Sequence, residues 1–359
     1  MGRFAVVFCW VFAALTSLPM SAVAAPVGWL YDVAVPVANQ SAEVRAVAFK
    51  QALVIAVKRT SGLADMPTTP ALASALQSPQ RFFVEYGYRQ EDNPIEGALP
   101  PKVQLLSVRF APKAIQKLIG DAGLPLWSSN RPTTLAWIVV TDGGARTVLG
   151  AGDRRPLAAA LRAQARERGL PLVLPELNQD EQLEVSSAMV MQGMSPAIEQ
   201  ASERYGADQV LVGRIVHGVG GAWSSDWQLS EHANQQQFKF DSPTPEAVAA
   251  AIVDRLVAQL VARYAVASGA QEKLQVQVSG IGGVADYGAL LKYLGQLEYI
   301  DSVQVQQVRP GAVMLEFGTR TPWDRLRDLL ALDGRLEASG EVEAGAEPRA
   351  LIWRGEPSR

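Results

Sequence analysis

The stretch "ASERYGADQVLVGRIV" (Ala201–Val216) decides the fold class, because a helix ends in it and an apolar run begins. The helix is predicted to start at Pro196, which suits the first helical position, after Ser195 as its N-cap. Gly206 is predicted to end the helix, since glycine adopts a positive φ at little cost. The run "QVLVGRIV" (Gln209–Val216) is almost continuously apolar, which is typical of a parallel strand covered by helices on both faces. The stretch therefore predicts an α/β domain.

Two other runs have the same character as this strand. "LAWIVV" (Leu135–Val140) and "LPLVL" (Leu170–Leu174) are also apolar without alternation, and a helix that starts at Pro156 lies between them. Further along come "AWSSDWQLS" and "QQQFKFDS", which we expect to form an antiparallel pair, and then a long helix that starts at Pro245. These elements predict a central open α/β domain with parallel core strands over residues 131–268.

Two smaller units flank this central domain. Residues 25–128 show the order β-α-β-β-α, with "LPLW" as a candidate final strand. Residues 272–340 show the order β-α-β-β-α-β, which is the split-βαβ or ferredoxin-like order. We expect two split-βαβ (ferredoxin-like) units, so that the fold class is α/β and α+β. The linkers are "LWSSNRP" and "ASGAQEK", and residues 341–359 are expected to be an acidic tail that is loose apart from "ALIW".

Residues 1–24 have the features of a cleavable signal peptide. Arg3 supplies a positive start, "FAVVFCWVFAAL" is an apolar core of suitable length, and "AVA" at residues 22–24 is a small-x-small cleavage site. Cleavage is expected after Ala24, with Ala25 as the alternative. A retained membrane anchor is the competing interpretation, but Pro19 stops the apolar run short of the ~20 residues that a span needs. We expect export to the periplasm.

Composition argues against several classes of function. Cys9 is the only cysteine and lies in the leader, so the mature chain is expected to form no disulfide and no cysteine-based metal site. The chain has 33 basic and 36 acidic residues, and loss of Arg3 with the leader brings the formal charge from −3 to −4. This balance argues against a nucleic-acid surface, which needs a concentrated basic field. No second apolar run is long enough to span a bilayer, so we expect a soluble exported protein.

The motifs of the chain yield no catalytic, cofactor-binding or metal-binding set. "GIGGVA" (Gly280–Ala285) has the formal spacing of a dinucleotide loop, but no acidic residue ends the next strand, and a tight β-α turn is the favoured interpretation. Ser195 is explained as a helix cap, because "GMSPA" is not the G-x-S-x-G elbow of a serine hydrolase. His217 and His232 belong to no metal-binding pattern and are expected to be structural or solvated. We therefore predict no cofactor and no metal.

Asp142 is the first candidate for a binding residue. "TDGGAR" (Thr141–Arg146) follows the first central strand, and ligands of open α/β sheets bind beyond the carboxyl ends of the strands. Asp142 with Gly143 and Gly144 could shape a binding loop there, although the lysine of a phosphate-binding loop is missing. The alternative is a flexible turn, which is the favoured interpretation.

Trp223 and Trp227 are the other candidates for contact with a partner. They are four residues apart, so on an extended strand both rings lie on one face. Tryptophan rings can anchor a protein partner or stack on a sugar, and they can equally cover helices of their own domain. We expect one ring in each role, with Trp227 the more buried because Leu229 extends its face.

Besides the leader, three passages carry a resemblance to a known family: "YDVAVPV…AEVRAVAFKQALVIAVKRTSG", "RYGADQVLVGRI…WSSDWQL" and "GIGGVADYGALLKYLGQLEYIDSVQV". They resemble the uncharacterised proteobacterial envelope proteins catalogued as domain-of-unknown-function family 2066. The resemblance covers most of the mature chain and implies no activity, because that family offers no catalytic residues to carry over.

The central segment is also similar to a second group of proteins. Its helix–"GAD"–strand passage (Tyr205–Val212) resembles the small α/β domain of outer-membrane assembly lipoproteins and flagellar T-ring proteins. Such a resemblance implies an assembly or partner-binding role, although a shared fold does not establish a function.

Together these observations predict an exported, non-enzymatic interaction or assembly protein that binds an envelope protein or a cell-wall component. The alternative is a periplasmic hydrolase or ligand-binding enzyme that uses the Asp142 loop.

Overall fold

The computed structural model describes residues 27–218, 220–231, 234–266, 272–331, 334–339 and 348–355. The predicted signal peptide and His232 lie outside this part of the chain. The described residues form three β-sheets with α-helices packed on them, and the sheets contain both parallel and antiparallel strands. The fold is therefore α/β and α+β, as the sequence predicted. We name the sheets the N-terminal, central and C-terminal sheets.

The N-terminal sheet has three antiparallel strands in the order β1-β3-β2. Its strands are β1 (Asp32–Pro36), β2 (Phe83–Asp92) and β3 (Lys102–Phe110), and its helices are α1 (Ala42–Ser61), α2 (Pro70–Gln77) and α3 (Pro112–Asp121). The helices form one apolar core with Leu106, Val108 and Phe110 of β3.

The passage "LPLW" is not the final strand that we expected for the N-terminal unit. Leu126 forms only an isolated antiparallel bridge, with Val266. The reason is that the chain here leaves the N-terminal sheet and enters the interior, where Trp127 is fully buried.

The central sheet follows the order β5-β4-β7-β8-β9, with β6 also paired to β4. Its strands are β4 (Thr134–Asp142), β5 (Ala145–Val148), β6 (Leu172–Val173), β7 (Gln209–His217), β8 (Trp223–Glu231) and β9 (Asn234–Ser242). Its helices are α4 (Pro156–Arg168), α5 (Gln179–Glu184), α6 (Ser187–Gln192), α7 (Pro196–Glu203) and α8 (Pro245–Tyr264). Strands β6 and β7 run parallel to β4, and β8 and β9 form the predicted antiparallel pair.

Helices cover both faces of β4, which confirms the interpretation of its apolar run. On one face Ala136, Ile138 and Val140 join the core that contains α4 and α8. On the other face Leu135 and Trp137, with other residues, form a second core with α6 and α7. The predicted cap is also present, because the Ser195 side chain accepts from the Ile198 N–H at the start of α7. The predicted strand "LPLVL" is much shorter than expected, since β6 has only two residues.

The passage after β4 is a β-hairpin, and the turn that we favoured for it is the two-residue turn of this hairpin. Asp142 pairs with Ala145 across the turn, and β5 returns antiparallel to β4. Gly143 and Gly144 both have positive φ, 55° and 86°, as the tightest two-residue hairpin turns require.

The C-terminal sheet has the order β11-β12-β10-β14-β13. Its strands are β10 (Glu272–Ser279), β11 (Ser302–Arg309), β12 (Ala312–Thr319), β13 (Leu336–Ala338) and β14 (Arg349–Trp353), and its helices are α9 (Val284–Gln296) and α10 (Trp323–Ala331). Strands β10, β12 and β11 follow the ferredoxin-like arrangement, with both pairs antiparallel.

The position beside β10 departs from that arrangement. It is occupied by β14, which contains the passage "ALIW" and runs parallel to β10, while β13 lies outside it at the edge. Leu351 and Trp353 are buried there, 1% and 3% exposed, so this part of the expected tail belongs to the C-terminal core. Residues 341–347 and 356–359 of that tail lie outside the described part of the chain. A Cβ on Gly280 would lie 2.5 Å from the Trp353 carbonyl oxygen, so the first glycine of "GIGGVA" permits this strand contact.

Arg131 joins the N-terminal and central units, and its side chain is fully buried. It donates hydrogen bonds of 2.6–2.7 Å to the backbone carbonyls of Trp127, Ser128, Arg59 and Gly169. The guanidinium also stacks 3.7 Å from the centroid of the Trp127 ring. Arg59 lies in the last turn of α1 and Gly169 directly follows α4, so one side chain satisfies carbonyls at the ends of two helices.

Burial lowers the pKa of Arg131 to about 9, while the nearby charge of Glu298 acts in the opposite direction. The guanidinium is therefore still protonated at neutral pH. A buried cation is costly unless hydrogen bonds compensate it, and the four carbonyls supply that compensation.

Two further arginines strengthen the same junction. Arg59 donates from Nε to the Arg166 carbonyl at 2.7 Å and from Nη1 to the Asp32 carbonyl at 2.9 Å. Arg168, in the last turn of α4, donates to the Gly62 carbonyl at the end of α1 at 3.2 Å. Positive charge at a helix C-terminus is favourable, because the helix dipole is negative there.

Glu298 connects the C-terminal unit to this junction. Its carboxylate accepts from the Tyr31 hydroxyl at 2.9 Å and from the Ser129 N–H at 2.6 Å. Gln116 of α3 donates to the same hydroxyl at 3.1 Å. The three units are thus linked by buried or half-buried polar bonds, and one apolar core also continues from the central unit into the C-terminal unit.

No helix in the described part of the chain is both long and apolar enough to cross a membrane.

The substitution Arg131→Met is expected to lower the free energy of unfolding by at least ~3 kcal/mol, because four buried carbonyls lose their donor and each unsatisfied group costs roughly 1–3 kcal/mol. Urea denaturation followed by tryptophan fluorescence measures the change. Arg109→Met is the matched control, since Arg109 makes only exposed ion pairs with Asp32 and Glu85 and should leave the urea midpoint nearly unchanged. Equal midpoints for the two variants would contradict the role given to Arg131.

Candidate functional site

Three side chains from different strands meet at the carboxyl edge of the central sheet. Asp142 ends β4 and His217 ends β7, and these strands run parallel with Thr141 opposite Val216. Trp223 begins β8 and lies directly opposite His217. The strand registers therefore place Asp142, His217 and Trp223 in one row, which we call the edge cluster.

Direct contacts hold the edge cluster together. Asp142 Oδ1 lies 2.9 Å from Nδ1 of His217. The imidazole stacks on the Trp223 ring, with ring centroids 4.4 Å apart and an angle of 11° between the planes. The side chains of His217 and Asp142 are 33% and 63% exposed, and Trp223 is half-buried against the central core. The cluster is thus accessible to solvent, and the packing of Trp223 on the central core holds it in place.

Trp227 lies in a different environment from Trp223, although both rings are on one face of β8. It is fully buried and belongs to the core under α4 and α8. Gly213 is opposite it on β7, and a Cβ there would lie 2.4 Å from the indole ring. Trp227 therefore fills the space that Gly213 leaves, and its ring offers no surface to a partner.

The turn before β8 explains why Trp223 lies at the rim. The Gly218 N–H donates to the Ala222 carbonyl at 2.8 Å. Gly220 and Gly221 have φ values of 110° and 84°, which other residues rarely adopt. This turn sets the start of β8 at the last row of the sheet, so Trp223 lies at the edge of the core and not inside it.

The opposite face of β8 carries charge. Arg214 donates to Asp226 at 2.6 Å, and Lys239 lies 3.2 Å from the same carboxylate. Burial alone would raise the pKa of Asp226, but the hydrogen bonds from Arg214 and Lys239 hold it below its ordinary value. The carboxylate therefore stays charged at neutral pH, and this face is the polar one.

The chemistry of the edge cluster is that of an oriented imidazole beside an aromatic ring. Asp142 binds one ring nitrogen, and within the described residues no hydrogen bond reaches the other. No serine or threonine hydroxyl of the described chain bonds to His217, and the same residues contain no group of three or more His, Cys, Asp or Glu able to hold a metal. The arrangement can present a stacked aromatic surface with a hydrogen-bonding edge.

A separate cleft of about 520 Å³ lies between α3 and the C-terminal unit. Its charged side chains are largely paired with each other or with the protein. Lys117 bonds Asp121 at 2.8 Å, Arg320 lies 3.7 Å from Asp301, and Glu298 is held as described above. The cleft therefore shows no convergent set of free charges comparable to the edge cluster.

The sequence singled out Asp142 and Trp223 separately and did not connect them. It missed His217, which it treated as structural or solvated. The available signal was positional, because Asp142 and His217 both end strands that were expected to be parallel, and the carboxyl ends of adjacent parallel strands share one edge.

The comparisons with known proteins bear on the N-terminal unit. Residues 24–128 match a family described as "Domain of unknown function (DUF8605)". This agrees with the expected resemblance to a family of unknown function and leaves the family number 2066 without confirmation. No curated protein matches the chain.

One solved structure, described as "Crystal structure of uncharacterized protein", is similar to 36% of this chain and 90% of its own, at 12% identity and a TM-score of 0.17. A likeness of this size carries no argument about the site.

The two tryptophans should respond differently to truncation. Trp227→Ala is expected to destabilise the protein by ~3–5 kcal/mol, because it empties a buried site that Gly213 cannot fill. Trp223→Ala should cost only roughly 1 kcal/mol, as is typical for a partly exposed residue. Thermal and urea denaturation of the two variants measure both values. Similar losses of stability would show that Trp223 is also a core residue.

Proposed function

We propose that this chain is an exported, non-enzymatic interaction or assembly protein, and that it binds an envelope protein or a cell-wall component through the edge cluster. The observation that carries the proposal is the accessible stack of His217 on Trp223. Tryptophan is enriched among the residues that dominate binding energy at interfaces. Here its ring is already held in place, so little conformational freedom is lost on binding.

The position of the cluster supports the same function. Its three side chains stand on strands and not on a free loop, and sites on regular elements are positioned more accurately than sites on loops. Asp142 fixes the orientation of the imidazole, and the packed core beneath Trp223 supports the indole. A partner would therefore meet a rigid surface with an apolar centre and a polar rim, as interfaces commonly have.

We propose periplasmic localisation and membership of family 2066 on the strength of the sequence. The leader supports export, and the match of residues 24–128 to a domain of unknown function supports a family of that kind. We retain residues 25–128, 131–268 and 272–340 as the three domains, with β14 added to the last of them.

The second candidate function is a periplasmic hydrolase or ligand-binding enzyme that uses the Asp142 loop. The observation in its favour is the Asp142–His217 contact at 2.9 Å, since a carboxylate-held imidazole can act as a general base toward water. Against it, Trp223 covers one face of the imidazole, and no hydroxyl nucleophile bonds to His217 in the described chain.

Binding through the edge cluster predicts a loss of affinity without a loss of fold. Trp223→Ala should weaken capture of the partner from envelope extract by about 30-fold, equivalent to ~2 kcal/mol. The assay immobilises the mature protein at graded density and quantifies captured components by mass spectrometry. Val308→Ala is the control, because Val308 is 63% exposed on β11, in a different sheet. Equal capture by both variants would contradict the proposal, as would turnover of an ester or peptide substrate that Asp142→Ala abolishes.

Export predicts a mature protein that starts at Ala25 or Pro26. Cell fractionation should place it in the periplasmic fraction, and N-terminal sequencing of that material identifies the start. A full-length product in the cytosol would contradict the proposed localisation.

A further inference from the structure

Strand β2 is an edge of the N-terminal sheet, and β3 is the only strand that pairs with it in the described chain. The Asn93 N–H donates to the Pro101 carbonyl at 2.8 Å, which continues the β2–β3 register. Alternate residues of a strand direct their N–H and C=O groups to the same side. The backbone N–H and C=O groups of Gly87, Arg89 and Glu91 therefore point to β3.

The intervening residues direct their backbone groups outward. These are Tyr86, Tyr88, Gln90 and Asp92. Within the described residues, no hydrogen bond reaches their N–H or C=O groups. A row of unpaired backbone N–H and C=O groups of this length can pair with a strand of another chain, and proteins usually shield such edges.

The opposite edge of the same sheet is shielded. On β1, the outward Asp32 carbonyl accepts from Arg59 at 2.9 Å, and Pro36 has no N–H to offer. On β2, by contrast, Val84 and Tyr86 are 69% and 49% exposed, and most other side chains are exposed too. The open edge of the N-terminal sheet is therefore β2.

The charges on β2 are complementary to those of a second β2. Arg89 and Glu91 point to the same face and contact each other at 2.7 Å within one chain. If two copies pair antiparallel with Gln90 on the two-fold axis, Arg89 of each copy lies opposite Glu91 of the other. Opposite charges directly across a strand pair are stabilising.

The neighbouring registers are less favourable. An axis at Tyr88 would place Glu85 opposite Glu91, and an axis at Asp92 would place that carboxylate opposite itself; like charges in these positions are destabilising. An axis at Arg89 or Glu91 would place that charge opposite itself, which is also destabilising. An axis at Tyr86 or Gly87 would bring the β-bulge between Phe83 and Glu85 into the ladder. The charges and the bulge together select Gln90.

We propose that two copies of this chain associate through β2, antiparallel and with the two-fold axis at Gln90, so that two N-terminal sheets become one six-stranded sheet. The contact is isologous, as in most homodimers, and it uses main-chain hydrogen bonds with two pairs of cross-strand charges. Because one strand pair buries little surface, the dimer is weak and forms at high protein concentration. The proposal is independent of the edge cluster.

Sedimentation equilibrium of the chain without residues 1–24 tests the proposal. The protein concentration runs from about 1 to about 500 µM, because a small interface is expected to dissociate in this range. The wild type should show a monomer–dimer equilibrium. Gln90→Pro removes an outward N–H, which an edge strand tolerates, and should raise the dissociation constant at least tenfold relative to Gln90→Ala. The melting temperature of each variant reports whether the fold is retained.

The charge variants test the register even if the proline variant is unstable. Glu91→Arg places Arg89 opposite an arginine and should abolish the dimer, whereas Arg89→Glu combined with Glu91→Arg should restore it. A wild type that stays monomeric throughout would overturn the proposal. A dimer insensitive to both Gln90→Pro and Glu91→Arg would also overturn it, because association would then use another surface.

Discussion

The meeting of two helix C-termini is the constraint on which the rest of the structure depends. Helices α1 and α4 end close to each other, and each leaves carbonyls without partners and the negative end of a dipole. Buried together without cations, these ends would be strongly unfavourable. Arg131, Arg59 and Arg168 supply the donors and the positive charge, and each of them bonds to a carbonyl at the end of one of these helices. Glycine follows both helices: a Cβ on Gly169 would lie 2.3 Å from the Arg131 guanidinium, and a Cβ on Gly62 would lie 2.1 Å from the Val261 side chain.

The elements inside each unit could be predicted from the sequence, but the junction between the units could not. Apolar runs and caps are local signals, and they located β4, β7, α7 and the β8–β9 pair. "LWSSNRP" was expected to be a linker, yet Trp127 and Arg131 within it are fully buried. A polar composition predicts exposure to solvent unless the hydrogen-bond partners are known. Two of the carbonyls that bond to Arg131 lie at helix ends that are distant in sequence. The same limitation applies to β14, whose place beside β10 depends on Gly280 from another segment.

The candidate site shows the same division between local and tertiary information. Alternation placed Trp223 and Trp227 on one face, and Leu229 indicated which ring is the more buried. Alternation could not show that Gly213 leaves room for one ring, or that β8 begins at the last row of the sheet. Nor could it show that His217 stacks on Trp223, because that contact depends on the register between β7 and β8. Asp142 and Trp223 were weak candidates separately, and they become a single surface because His217 contacts both of them.

The arginine junction also determines which edges of the molecule stay open. The side chain of Arg59 on α1 donates to the Arg166 carbonyl of the central unit. The same guanidinium donates to the Asp32 carbonyl on the outer side of β1. The contact that joins two units therefore shields one edge of the N-terminal sheet. On strand β2, at the far side of β3, no described residue bonds to the outward backbone groups of Tyr86, Tyr88, Gln90 and Asp92. The contacts of this segment with the central unit begin beyond the strand, at Asn93 and Glu96. Because desolvation offsets much of the favourable energy of buried charges, the bonds of Arg59 add little net stability. They still have a specific consequence, since they cover the β1 edge of the N-terminal sheet and leave the β2 edge for association.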